Sequence, residues 1–75
     1  MSTKDGKIQI RQLPIRLGQF LKLADLVQDG IEAKLRIQNE EVLVNNEVET
    51  RRGRQLQDRD RITLDGKTWI VELEK

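Results

Sequence analysis

A chain of 75 residues, 36% apolar and 36% charged, can close one hydrophobic core and has no length for a second, so a single domain is expected over residues 7–75 behind a flexible polar leader at 1–6. With neither cysteine nor histidine, disulfides, a structural zinc site and the usual pairing of strong nucleophile with general base are all excluded. The formal charge is only +1, so any affinity for a polyanion must come from where the charges lie rather than from their sum.

Lys7 to Gln12 alternates with Ile8 and Ile10 on one side, the period of a half-buried strand, and Pro14 then forbids a continuing ladder. Leu17, Phe20, Leu21 and Ala24 follow the helical i, i+3, i+4, i+7 template. With Leu23, Leu26 and Val27 added, the pattern predicts a first helix of about two to three turns, with Gly18 in its first turn and room there for a close backbone approach. Asp29 followed by Glu32 has the spacing of a capping box and opens a second helix, expected to reach about Asn39 and to stop there in a left-handed conformation. Val42–Val44 reads as a strand, Asn45-Asn46 as a two-residue hairpin turn, and Glu47–Glu49 as the returning strand. Arg51 to Asp60 reads as polar and irregular. Arg61–Leu64 and Lys67–Leu73, joined by Asp65-Gly66, form the clearest hairpin and place Trp69 opposite Ile62. The expected fold is α+β, two helices packed on a small, mainly antiparallel sheet.

The charges are segregated along this order. Residues 1–24 carry five basic groups against Asp5, residues 25–50 carry seven acids against Lys34 and Arg36, and residues 51–61 carry five arginines against Asp58 and Asp60. No apolar run approaches a membrane span or a secretory signal, and a cytoplasmic protein is expected. The sharpest local feature is Arg51-Arg52-Gly53-Arg54, guanidinium groups that grip phosphate oxygens bidentately on a chain that can turn at glycine. Arg16 at the first helix entry, Lys22 on its polar side and Lys34 on the second helix gain meaning if they converge with that loop. Arg36 could join them from the second helix, but Lys34 and Arg36 equally suit pairing with Glu32 and Glu40 at helical spacing, and Arg36, set between apolar positions, also suits snorkelling to solvent. Only Phe20 and Trp69 are aromatic, and both suit the core, so recognition by base stacking on a sheet is not expected. What remains is recognition of a nucleic-acid backbone, with RNA and DNA not separated by composition. No catalytic residue, metal or cofactor is expected. A second reading is a protein adaptor that docks a basic partner through the acidic segment 40–49.

The run Leu-Gly-Gln-Phe-Leu-Lys-Leu-Ala from Leu17, then Glu32-Ala33-Lys34, then Val42 to Arg54 with its Val-Asn-x-Glu-Val-Glu-Thr-Arg core, resembles the alpha-L RNA-binding motif named after small-subunit ribosomal protein S-four. More narrowly, it is similar to the short free-standing bacterial members. The resemblance implies two helices on a small sheet that grip structured RNA, ribosomal or transfer, on a ribosome or its assembly intermediates. By position it implies contacts from Arg16, Gln19 and Lys22 on the first helix, Lys34 on the second, and Arg51, Arg52 and Arg54 in the basic loop. Glu40 stands where the family places a helix-ending glycine, Asn46 where glycine fills the hairpin turn, and Arg36 where an aliphatic residue is commoner. A monomer is expected.

Overall fold

The computed structural model describes residues 6–74, so the expected leader lies outside the described residues except for Gly6, which already belongs to the first strand. In chain order the elements are β1 (Gly6–Ile10), β2 (Ile15–Arg16), α1 (Leu17–Leu23), α2 (Gly30–Gln38), β3 (Val42–Val44), β4 (Glu47–Val48), β5 (Gln55–Leu56), β6 (Arg61–Leu64) and β7 (Lys67–Leu73). A five-stranded sheet runs in the order β1-β7-β6-β3-β4, and a separate ribbon pairs β2 with β5. The β1–β7 pair is parallel and the other ladders are antiparallel. The α+β architecture with a mainly antiparallel sheet is therefore the one observed.

Alternation explains the layering. Val42 and Val44 on β3, Ile62 and Leu64 on β6 and Val71 on β7 are buried, while Leu43 and Thr63, which alternate with them and pair across β3 and β6, are only half-buried. Leu17, Phe20 and Leu21 from α1 and Ala33 and Ile37 from α2 cover that face. Full burial of each such aliphatic or aromatic side chain contributes about 1.5–3 kcal/mol, which is how a chain without disulfides holds together. Both hairpins form as expected: Asn45 and Asn46 adopt φ of 53° and 71°, Asp65 and Gly66 adopt 57° and 77°, and Ile62 faces Trp69.

Five features differ from the sequence reading. The first strand ends at Ile10, not Gln12, because its partner β7 ends at Leu73 and the next bond, from the Glu74 N–H to the Ile10 carbonyl (2.8 Å), closes the ladder. The first helix ends at Leu23 and does not continue through Val27. Asp25 turns left-handed (φ 62°), its N–H donates to the Lys22 carbonyl at 3.0 Å, and that of Leu26 folds back to the Leu21 carbonyl at 2.9 Å. Val27 is thus buried from a loop, and Leu23 is left 59% exposed. The second helix repeats the device one residue later than expected: Asn39 stays at φ −84° and Glu40 is the left-handed residue at 63°. The N–H groups of Glu40 and Glu41 then reach the Ile37 and Arg36 carbonyls at 3.1 Å each. At its start, the Asp29 carboxylate accepts from the Glu32 N–H (2.9 Å), but the Glu32 carboxylate accepts from Gln28 (2.7 Å) and not from Asp29. The stretch expected to be irregular contains β5, whose Leu56 is fully buried.

Candidate functional site

Three segments meet at the start of α1. The β2–β5 ribbon pairs Arg16 with Gln55, which brings the chain beyond Thr50 alongside the helix entry. The first N–H groups of a helix have no partner within it. Here that of Leu17 donates to the Arg54 carbonyl (2.8 Å) and that of Gly18 to the Arg52 carbonyl (3.0 Å), so the arginine loop itself caps the helix. The approach depends on glycine: a Cβ at Gly18 would lie 2.8 Å from Cγ of Arg52.

Between this loop and the two helices lies a depression of about 320 Å³. Four of its lining residues, Gly18, Gly30, Ala33 and Gly53, carry a methyl group at most, and the other four are Arg16, Gln19, Lys22 and Arg52. Small residues let a ligand backbone come close, and three cations give it a positive potential. None of the three forms an ion pair with a carboxylate among the described residues. Gln19 accepts a hydrogen bond from the Arg16 N–H at 3.3 Å, which fixes its amide at the mouth. Lys34 is exposed and stands one helical turn beyond Gly30, on the same face of α2.

The remaining loop arginines are held elsewhere. Glu49 is only 6% exposed, and its carboxylate accepts from the Arg51 N–H (3.0 Å), from Nε and Nη2 of Arg51 (2.9 and 3.3 Å) and from Nη1 of Arg54 (2.8 Å). Those donors, Arg51 first, hold the carboxyl at about 2, well below its ordinary value of 4.5, against the opposing effect of burial. Of the seven residues singled out, Arg16, Gln19, Lys22 and Arg52 therefore share one depression, Lys34 flanks it, and Arg51 and Arg54 are pinned to Glu49.

The sequence reading missed Glu49, although register carried a signal. Leu43 pairs with Val48, so with Val42 and Val44 turned inward Val48 must point outward and Glu49 inward. Arg36 belongs to the scaffold: it meets Glu41 at 2.5 Å, Asp65 at 2.6 Å and Glu32 at 3.7 Å, ties α2 to the β6–β7 turn, and is held more firmly protonated, chiefly by Asp65. Glu41 and Glu49 are thus engaged internally, and of the acids of segment 40–49 Glu40 and Glu47 form no ion pair among the described residues, which breaks up its negative surface. No helix among the described residues is long and apolar enough to cross a membrane.

Comparison with known proteins places these features in context. Residues 8–72 match the family model of the S4 domain. The chain is 52% identical over 52 residues to the probable ribosome maturation protein RlbA of Bacillus subtilis (strain 168), an alignment covering 69% of this chain and 73% of that protein. The solution structure of YbcJ from E. coli, which revealed an alfaL motif involved in RNA binding, superposes with a TM-score of 0.71 at 26% identity, covering 96% of this chain and 91% of that one.

Proposed function

The chain belongs to the S4 domain family, and from that premise we propose that it is a ribosome-associated RNA-binding protein of the cytoplasm, monomeric and without catalytic chemistry, that grips folded ribosomal or transfer RNA by its backbone. The observation that carries the reading is the convergence of Arg16, Lys22 and Arg52, from the first helix and its entry and from a loop about 30 residues later, on one depression where none of them pairs with a carboxylate among the described residues. Arginine takes two phosphate oxygens at once, lysine supplies a point charge, and the Gln19 amide is placed to meet a 2′-hydroxyl or base edge. Phe20 is buried and Trp69 packs on the core, so no aromatic platform competes with backbone recognition. Lys34 extends the positive surface along α2. Arg51 and Arg54, tied to Glu49, shape the loop and add a weaker positive field.

Fractionation of a lysate containing the tagged protein tests this directly. The chain should sediment with ribosomal particles or their precursors and be released by ribonuclease. Retention on a protein partner after complete ribonuclease digestion would favour the adaptor reading and overturn this one.

A further inference from the structure

Gln19 and Lys22, one turn apart on α1, separate two hollows, of which the basic depression is one. The second is an open groove of about 800 Å³ on the other side of that ridge, within the usual size range of small-ligand sites. Leu13, Pro14, Ile15 and Leu23 give it apolar walls, Gln12 and Gln19 give it two amides, and no acidic or aromatic residue lines it. Leu23 accounts for much of its character. It is the last residue of α1 and faces solvent at 59% exposure, because the chain turns away at Asp25.

We propose that this groove receives one unpaired nucleobase of the RNA whose backbone occupies the depression, an inference that rests on the RNA-binding reading above. Continuity is the first argument: Gln19 and Lys22 line both hollows, so a strand held at Arg16 and Arg52 passes over the ridge, with Lys22 placed for the intervening phosphate. Chemistry is the second. Amide groups donate and accept, as base edges require, and aliphatic walls cover a base face where no aromatic is on offer. A base inside a duplex shows only its edge, so the groove selects one that has left the stack. The protein then recognises folded RNA at a base bulged from its stem and not along a uniform helix.

The test compares two hairpin RNAs that differ by a single bulged adenine, titrated against the full chain and against Leu23→Ser. Because Leu23 is exposed and uncharged, this variant should keep both fold and salt dependence. The native protein should prefer the bulged hairpin by about five-fold or more, as expected for partial burial of one apolar side chain, and Leu23→Ser should reduce that preference to within about two-fold while binding the paired hairpin as before. Equal binding of both hairpins by the native protein, or an unchanged preference in Leu23→Ser, overturns the groove assignment and leaves the backbone reading standing. Failure to bind either hairpin overturns both. A dimer in sedimentation that Leu23→Ser dissolves would assign the groove to a second copy and also overturn it.

Discussion

Reversing the charge at Arg52 should lower affinity for structured RNA by about 30- to 100-fold, the loss of a charge-assisted phosphate contact together with the repulsion that replaces it. Thermal stability should stay within about 0.5 kcal/mol, because the Arg52 side chain is exposed and forms no ion pair among the described residues. Arg59→Glu makes the same change in net charge at a distant hollow beside β1 and β7, and should cost no more than about three-fold through long-range electrostatics alone. Gly18→Ala reaches the same site without touching charge. Its new methyl would press on the Arg52 side chain at 2.8 Å and displace it, so affinity should fall by about five-fold, while helix propensity rises by less than about 1 kcal/mol, since Gly18 lies in the first turn, and partly offsets the crowding. Electrophoretic or fluorescence titration with one hairpin RNA measures all three. Equal losses for Arg52→Glu and Arg59→Glu would reduce the depression to a bystander in a diffuse field.

Glu49→Gln should lower stability at neutral pH by about 1–3 kcal/mol, since the carboxylate that satisfies four donors from Arg51 and Arg54 becomes an amide with one accepting oxygen. In a domain this small that is a fall in melting temperature of about 4–24 °C. The dependence on pH carries the sign. The folded carboxyl titrates at about 2 against an ordinary 4.5, so between those values the folded chain binds fewer protons than the unfolded one and its stability rises with pH. The difference between native protein and Glu49→Gln should therefore be constant above about pH 5, shrink as pH falls through 4.5, and nearly vanish near pH 2. Parallel melting curves across that window would show that Glu49 is not the pin of the loop.

How far the sequence carried these conclusions varies with the physics behind each. The Asp29 cap and the Asn45-Asn46 and Asp65-Gly66 turns were legible because side-chain chemistry and backbone conformation agree at those positions. Helix ends were not. Asp25 and Glu40 take left-handed angles that usually call for glycine, and they do so because the main-chain bonds of the following turn offset the strain. The β5 strand was hidden because one apolar residue, Leu56, in a polar run has no period to detect. At the candidate site, residue type alone picked out the cations but not their grouping. Convergence is made by two backbone hydrogen bonds from Leu17 and Gly18 to the loop, and the division between free and pinned arginines is made by Glu49, whose inward direction only strand register reveals.

That division has a count attached. If Arg16, Lys22, Lys34 and Arg52 hold phosphates while Arg51 and Arg54 stay on Glu49, about four counterions are expected to leave on binding. A titration of the full chain with a folded RNA hairpin across a range of salt concentrations reads that number: the logarithm of the association constant should fall against the logarithm of salt with a slope of about −2.8 to −3.6. A slope shallower than about −1 would mean that these cations do not hold a polyphosphate strand.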